Sequence, residues 1–408
     1  MKNIALKNRF LILISDSILL TFLGLVYAWS VFKKPLAAAY GWDDSQLTWT
    51  FTICMFLFCL GGFAGAQFSK KLSHRQLTWM CGGLIGVSFI ALGHMTNLWQ
   101  LYVLYGVVIG LCVGIVYNCV LATGNKWYPD KGGLVAGLLL MFFGAGSLFL
   151  SPLSNALLEA YGLKKAFYIL GILFMAVLLL FGFAVKMPQE GEVPQTAVKA
   201  LPKDEQQVAP KDMLKTANFW FFFVWCMLGT AIGIAVVGQI YTISSFIGLS
   251  GTTSALMVSL FAVASGVGRF AFGYFYDKKG RKLTTLILSL LFVCGGLSLL
   301  IGLLANVAVF TILSFAFFGV AYGGVTPTNA NFARSFYGNQ HYATNLSLVN
   351  FNLLIAVFLG QYMGSTLYVT TSGYTATAIA LTITALLTTV VQFFIKEQPT
   401  SKTLPQEK

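Results

Sequence analysis

Two ionisable side chains, Asp16 and Arg269, lie inside long apolar runs of this 408-residue chain. An ionisable group in such a run is costly and is by default a functional hypothesis. Because a guanidinium binds a carboxylate through two parallel hydrogen bonds, Arg269 predicts a site for a carboxylate anion, with a structural ion pair as the alternative. A carboxylate in low-dielectric surroundings can hold a proton. Asp16 is therefore predicted as a proton-coupling group, and the alternative is an interfacial Asp that reaches water.

The helical positions around both residues indicate what they face. Arg269 lies about eight residues before the predicted end of its run, or roughly 10–12 Å deep at 1.5 Å per residue. Small residues such as Ser265 and Gly273 share its helical face, so this face packs closely or lines a cavity. Asp16 lies at a similar depth and shares a face with Tyr27, so the two are expected to look into one cavity.

The composition identifies the class of protein. Hydrophobic residues make up 57% of the chain and charged residues 10%, whereas soluble domains carry roughly 25% charged residues. The mean hydropathy is +0.78. A soluble protein could not bury this much apolar surface, which excludes a soluble enzyme, a nucleic-acid binder and a disordered scaffold. The sequence predicts an all-α polytopic membrane protein.

Apolar runs of about 20 residues, long enough to cross a bilayer, predict twelve transmembrane helices. We number these spans one to twelve. They cover residues 10–32, 46–68, 77–95, 99–124, 132–157, 166–186, 219–247, 252–276, 283–303, 307–331, 343–369 and 373–395.

The distribution of positive charge predicts the orientation. With both termini inside, twenty-one of the 26 Lys and Arg residues fall in cytoplasmic segments and four fall outside, as the positive-inside rule requires. This bias also explains the net charge of +13 without a nucleic-acid partner. We expect a multi-pass protein of the cell (inner) membrane with both termini in the cytoplasm.

A proline-rich, charged segment separates the apolar runs of spans six and seven. Its four prolines and mixed charges are typical of a disordered linker. The predicted organisation is an N-terminal six-helix bundle (1–186), a cytoplasmic linker (187–217), a C-terminal six-helix bundle (218–396) and a cytoplasmic tail (397–408).

The two predicted bundles carry traces of an internal repeat. Gly65-Ala-Gln-Phe-Ser-Lys-Lys after span two corresponds to Gly273-Tyr-Phe-Tyr-Asp-Lys-Lys after span eight, and Trp127-Tyr128 after span four corresponds to Phe336-Tyr337 after span ten. Parallel repeats of six spans are an architecture of secondary transporters.

The turn from Gly273 to Lys282 resembles the signature of the major facilitator superfamily. That resemblance implies the major facilitator fold and a gating role for this loop, in which acidic and basic residues pair across helix ends. The residues implied are Asp277, Gly273, Arg281 and Lys282. In the first-half copy Ser69 replaces the Asp, so the pairing is expected to be stronger in the second half.

Three further segments resemble the oxalate:formate antiporter family of this superfamily. They are Tyr27-Ala-Trp-Ser-Val-Phe, Asn125-Lys-Trp-Tyr-Pro-Asp-Lys-Gly-Gly-Leu-Val-Ala-Gly137 and Asp212-Met-Leu-Lys-Thr-Ala-Asn-Phe-Trp220. The resemblance implies movement of small carboxylates, by exchange or with protons. Arg269 matches the family's substrate-binding arginine on helix eight, and Tyr27 and Tyr117 match its aromatic groups around the substrate.

The chain departs from the family's dicarboxylate exchanger on span eleven. That exchanger carries a second cation, a lysine, on helix eleven, where this chain offers Asn350 and Asn352. One cation neutralises one carboxylate, so a monocarboxylate fits better than oxalate. Neutral polar groups that could complete the site, with interhelical hydrogen bonding or interfacial anchoring as the alternative, are Asn118, Gln239 and Tyr322.

The predicted function is therefore transport of small organic anions. The chain has no phosphate-binding Gly-rich loop and no catalytic or metal-binding constellation, so we expect neither an enzyme nor a cofactor or metal. We expect a monomer in the lipid bilayer that carries lactate, pyruvate or formate by alternating access, as a proton symporter or an anion exchanger. The alternatives are a transporter-like carboxylate sensor and an oxalate:formate exchanger, with an efflux pump for lipophilic cations last.

Overall fold

The computed structural model describes residues 2–189, 192–193, 207–371 and 373–397. Every regular element in these residues is helical. Fifteen of the 31 residues of the predicted linker (190–191 and 194–206) and all but the first residue of the predicted tail (398–408) lie outside the described residues.

Ten helices in the described part of the chain are long and apolar enough to cross a membrane. Two of them, Gly132–Gly182 and Gly251–Leu304, have 51 and 54 residues. A continuous helix of that length would measure about 75–80 Å, more than twice the apolar thickness of a bilayer. Each is broken by a glycine with positive φ, +73° at Gly162 and +74° at Gly280. Each therefore supplies two crossings, and the prediction of twelve transmembrane helices is confirmed.

The chain divides into two compact units, Met1–Val198 and Lys199–Lys408. The helices of the first unit are Lys2–Leu23, Gly24–Ala28 (3-10), Ser30–Tyr40, Asp44–Phe68, His74–Leu92, Leu98–Leu101, Tyr102–Ile109 (π), Gly110–Trp127 and Gly132–Gly182. Those of the second are Pro210–Met213, Ala217–Val237, Ile240–Phe246, Gly251–Leu304, Ala308–Tyr337, Tyr342–Asn350, Asn352–Gln361, Tyr362–Thr366 (π), Leu367–Thr371, Thr375–Val391 and Gln392–Phe394 (3-10). The boundaries predicted at 186, 217 and 396 stay predictions.

Spans one, four, seven and eleven differ from the sequence prediction because none of them is a single regular α-helix, and span four contains the π-helical segment Tyr102–Ile109. Span one tightens into a 3-10 turn at Gly24–Ala28, span seven is interrupted at Gln239, and span eleven is interrupted at Phe351. At the start of the 3-10 turn, the backbone of Gly24 lies directly against the carbonyl of Phe143. An apolar run predicts burial, but it does not report the contacts that interrupt a helix.

Spans two and four of the first unit pack backbone against backbone. The Cα of Gly61 lies against the carbonyl of Leu111, and Gly114 lies against the carbonyl of Phe58. A side chain on either glycine would collide with the facing main chain. Small residues at helix–helix contacts are the usual means of close approach in membrane proteins.

Spans eight and ten of the second unit repeat this arrangement. Gly268 lies against the carbonyl of Val320, and Gly323 lies against the carbonyl of Ser265. The glycine–carbonyl contacts correspond one to one, with an offset of 207 between spans two and eight and of 209 between spans four and ten. The duplication inferred from two short motifs therefore extends through the packing of these helices.

The segment before span seven is bound to the ends of spans ten and eleven. The backbone N–H of Val208 donates to the carbonyl of Tyr337 at 3.0 Å, and the side-chain amide of Asn345 donates to the carbonyl of Val208 at 3.1 Å. Met213, in the short helix Pro210–Met213, is fully buried. Residues 208–213 are therefore an ordered part of the second unit.

Candidate functional site

Arg269 is the buried cation of span eight, with 8% of its surface exposed. It directly follows Gly268, which holds the span against Val320. The helix continues unbroken to Gly280, so Arg269 lies about 16 Å from that end at 1.5 Å per residue. This distance includes the exposed charged residues 277–279, so the depth of 10–12 Å in the membrane stays a prediction. A guanidinium at this depth requires a negative or strongly polar neighbour.

Tyr322 is the predicted site residue that the structure brings near Arg269. The aromatic ring of Tyr322 lies directly over Gly233 of span seven, where a side chain would displace it. Its ring centroid is 6.1 Å from that of Phe261, and its hydroxyl lies within electrostatic range of the Arg269 charge. Spans seven, eight and ten thus hold the phenol within electrostatic range of the cation.

Asn350 belongs to a chain of polar contacts among spans seven, ten and eleven. The Cys226 thiol donates to Oδ1 of Asn329 at 2.7 Å, and Nδ2 of Asn329 donates to Oδ1 of Asn350 at 3.5 Å. Because the thiol occupies the Asn329 oxygen, the Asn329 NH2 group faces Asn350. Asn350 is half-buried and ends the helix Tyr342–Asn350.

Asn352 is more deeply buried, with 2% exposure. Its Oδ1 accepts from the Thr230 hydroxyl at 3.3 Å, and its Nδ2 donates to the carbonyl of Val349 at 2.6 Å. Both ends of this amide therefore bind protein groups that hold span eleven against span seven and close the interruption at Phe351. The contacts of Asn352 are therefore interhelical hydrogen bonds, which the sequence analysis gave as the alternative to substrate binding for neutral polar groups.

Gln239 lies at the interruption that ends the first helix of span seven. Its Oε1 accepts from the hydroxyl of Tyr374 at 3.1 Å and from that of Thr242 at 2.8 Å. These hydrogen bonds place it with the residues that begin span twelve. Its role as a substrate ligand stays a prediction.

The predicted site residues of the first unit lie on spans one and four. Tyr117 is buried, and its ring centroid is 5.1 Å from Phe58 and 5.0 Å from Phe143. Asn118 is buried beside it. Tyr27 belongs to the 3-10 turn of span one, but its side chain lies outside the described part of the chain.

Asp16 is completely buried on span one. Neither of its carboxylate oxygens has a hydrogen-bond partner among the described residues. A buried carboxylate in that condition is costly in its charged form. The role of Asp16 as a proton-coupling group stays a prediction.

An ion pair that the sequence analysis did not name lies two turns before Asp16. Nη2 of Arg9 is 2.7 Å from Oδ1 of Asp130, and the Arg9 guanidinium lies 4.2 Å from the ring centroid of Tyr128. Burial raises the pKa of Tyr128, the Arg9 charge lowers it, and the negative charges of Asp130 and Asp16 raise it. The four groups therefore form one electrostatic cluster.

The predicted gating loop makes its ion pair with a residue of span ten. Nη2 of Arg334 is 2.8 Å from Oδ1 of Asp277. Arg281 instead donates to the carbonyl of Ile395 at 2.8 Å, Lys282 is exposed, and Gly273 is buried. Sequence reasoning named Asp277 but missed its partner Arg334, and it counted Arg9 only as a positive-inside charge. Asp130 could have been singled out from the sequence, since it lies in the distinctive segment after span four.

Twelve apolar crossings in two repeated units, with a buried cation and a buried acid, define an integral membrane protein of the transporter class. The sequence profile of the Major Facilitator Superfamily matches residues 10–361 and 234–408. The chain belongs to this family and is a multi-pass membrane transporter, not an enzyme.

Known relatives share about a quarter of its residues. The chain is 26% identical over 344 residues to the uncharacterized MFS-type transporter YhjX of Escherichia coli, covering 84% of each chain. It is also 26% identical over 341 residues to the oxalate:formate antiporter of Oxalobacter formigenes, covering 83% of this chain and 80% of the antiporter. A 26% identity to monocarboxylate transporter 12 of Rattus norvegicus spans 62% of this chain and 57% of that protein.

Solved transporter structures share the fold. The proton:xylose symporter XylE superposes with a TM-score of 0.69 at 13% identity, covering 96% of each chain. FucP in the outward conformation superposes with a TM-score of 0.71 at 12% identity, covering 96% of this chain and 100% of that chain. Similarity at this level of identity concerns the fold alone.

Proposed function

We propose that this transporter carries small monocarboxylates, such as lactate, pyruvate or formate, by alternating access. Arg269 binds the carboxylate, and Asp16 carries a coupled proton when transport is symport. The observation that carries the proposal is the burial of Arg269 in span eight, within electrostatic range of the Tyr322 hydroxyl. The named functions of two relatives, an oxalate:formate antiporter and a monocarboxylate transporter, support a carboxylate substrate.

The single cation favours a monocarboxylate over a dicarboxylate. A second carboxylate would meet the neutral groups of span eleven, where Asn350 and Asn352 are the candidate ligands. An uncompensated charge at the bilayer centre costs about 2.5–3.5 kcal/mol even on the milder scales. At 1.4 kcal/mol per factor of ten, the discrimination is on the order of a hundredfold.

The proposed orientation has both termini in the cytoplasm of the cell. The excess of Lys and Arg in the segments assigned to that side supports it. Spans one and eight then enter the membrane with Arg9 and Asp277 on the cytoplasmic side.

Oxalate:formate exchange is the second candidate, favoured by the similarity to the Oxalobacter antiporter across 83% of the chain. It requires a group other than a span-eleven cation to neutralise the second carboxylate.

A counterflow experiment with the purified protein in liposomes tests the proposal. Vesicles loaded with unlabelled lactate, pyruvate, formate or oxalate are diluted into trace labelled substrate, and transient accumulation is recorded at equal pH on both sides. We expect accumulation with monocarboxylates and about a hundredfold weaker competition by oxalate. Oxalate as the best substrate would favour the exchanger, and binding without flux would favour a sensor.

A further inference from the structure

A second set of charged residues lies near the beginning of span one, before Asp16. Arg9 precedes Asp16 by two helical turns on the same span, so the two side chains share a helical face about 10 Å apart along the axis. Arg9 is itself buried, with 6% exposure. Its guanidinium is held by Asp130 at 2.7 Å and covers the ring of Tyr128 at 4.2 Å.

Asp130 and Tyr128 belong to the short connection between Gly110–Trp127 and Gly132–Gly182. Span one packs against both of these helices. The ion pair therefore joins the beginning of span one to the connection between spans four and five, at the end of the unit nearest to Asp16. Opening it would separate the elements that enclose the Asp16 carboxylate.

We propose that the Arg9–Asp130 ion pair and the Tyr128 ring form a gate between Asp16 and the cytoplasm, so that Asp16 exchanges its proton with that side only while the pair is open. This inference rests on the proposed proton-coupling role of Asp16. It adds Arg9, Asp130 and Tyr128 to that role as positioning residues.

The other titratable groups on the helices packed against span one do not offer Asp16 a competing partner. Gly146 of span five lies against the carbonyl of Thr21, which is already beyond Asp16, and Glu159 follows it by about 20 Å along the helix. The remaining described groups on these two helices are Cys112, Tyr117, Cys119 and Lys126 on Gly110–Trp127, and Tyr161, Lys164, Lys165 and Tyr168 on Gly132–Gly182.

Most of these groups are excluded by chemistry or position. Cys112, Tyr117 and Cys119 of span four carry no permanent charge, and Lys126 is exposed. The charged and phenolic groups around Gly162 share the remote end of span five with Glu159. Asp130 and Arg9 are thus the charges that the gate can use, and the Arg9 guanidinium covers the ring of Tyr128.

The gate is tested with the full-length protein in liposomes that contain a fluorescent pH indicator. Three quantities are measured: labelled lactate exchange at equal pH, lactate accumulation driven by an inward proton gradient, and proton entry without substrate. The variants are Asp130→Asn, Arg9→Gln and the double variant Asp16→Asn with Asp130→Asn. Asp212→Asn is the matched control, because Asp212 forms an exposed ion pair with Lys215 at 2.9 Å.

Loss of the ion pair is expected to raise proton entry without substrate about tenfold, since a charge-assisted hydrogen bond no longer holds the gate shut. Gradient-driven accumulation should fall accordingly in Asp130→Asn and Arg9→Gln, while exchange at equal pH persists. Asp212→Asn should behave as wild type. Adding Asp16→Asn to Asp130→Asn should abolish the extra proton entry, because the group that carries the proton is gone.

Two results would overturn the gate. One is unchanged proton entry and accumulation in Asp130→Asn and Arg9→Gln, and the other is proton entry that survives in the double variant. Wild-type exchange without any proton coupling would also refute the gate but would leave carboxylate transport standing. Absence of exchange with every carboxylate tested would instead refute the proposed function itself.

Discussion

Arg269 of the second unit and Gly62 of the first occupy equivalent positions in their repeats. Each directly follows the glycine, Gly268 or Gly61, that packs against the carbonyl of the fourth helix of its unit. The framework around the two positions is duplicated, but one of them carries a permanent cation and the other carries no side chain. The packing of the two units is therefore alike, but their charge is not. The first unit makes the same helix contacts without a cation, so the Arg269 charge is not required for them.

Substitution of Arg269 is expected to abolish carboxylate binding while leaving the protein folded. Arg269→Lys keeps the charge but loses the two parallel hydrogen bonds, so affinity should fall by about ten- to a hundredfold. The carboxylate affinity of Arg269→Ala should fall further. Binding of labelled lactate to the purified variants measures the effect, with exposed Lys279→Ala on the same helix as the control. Near-normal transport by Arg269→Ala would refute the assignment.

Asp16→Asn is expected to separate exchange from proton-driven uptake. The amide cannot release a proton, so accumulation of lactate under a pH gradient should be lost, whereas exchange at equal pH moves no net proton and should persist. The control is Glu159→Gln, an exposed acid hydrogen-bonded to Asn155. Uphill accumulation that continues unchanged in Asp16→Asn would show that another group carries the proton. An exchange with no pH dependence in the wild type would indicate a pure antiporter.

A lysine on span eleven is expected to recruit a dianion at position 350 rather than at 352. Asn352 is buried and hydrogen-bonded at both ends of its amide, so Asn352→Lys breaks contacts between spans and should lower stability. Asn350 is half-buried and tolerates a longer side chain. Competition of labelled lactate by oxalate should improve by about a hundredfold in Asn350→Lys. Wild-type protein that already prefers oxalate would contradict the single-cation argument.

Gly323→Ala is expected to destabilise the second unit. The added methyl group would collide with the carbonyl of Ser265, and overpacking of this kind costs about 1–3 kcal/mol. Gly83→Ala is the matched control, because a Cβ there meets nothing within 4 Å and alanine is the better helix former. Thermal unfolding of the two variants in detergent should separate them, and equal melting temperatures would contradict the close packing.

The Asp277–Arg334 ion pair is expected to act on the rate of transport rather than on substrate affinity. Neutralising either residue removes a contact between the ends of spans eight and ten and should change turnover while lactate binding stays constant. Exchanging the charges in the double variant Asp277→Arg with Arg334→Asp should restore the contact and much of the rate. Equal loss in the single and double variants would indicate that each residue acts through a different partner.

The number of crossings and the presence of a buried cation at Arg269 followed from local properties of the chain. An apolar run of sufficient length needs no knowledge of its neighbours to be recognised, and a charge inside such a run is conspicuous in the sequence. The breaks at Gly162 and Gly280 were likewise expected, because polar turns separate the runs at those points.

Which polar residues form ion pairs and hydrogen bonds with each other was decided by the tertiary structure instead. Arg9 and Asp130 are separated by 121 positions, and Asp277 and Arg334 by 57, so their pairing depends on which helix ends the fold brings together. Asn352 and Gln239 are further examples. The sequence does not show which groups their amides bind, whereas in the folded units Asn352 binds Thr230 and Gln239 binds Tyr374. Hydropathy is summed along one helix, whereas a hydrogen bond requires two groups at a specific distance and angle, and packing between distant segments supplies that geometry.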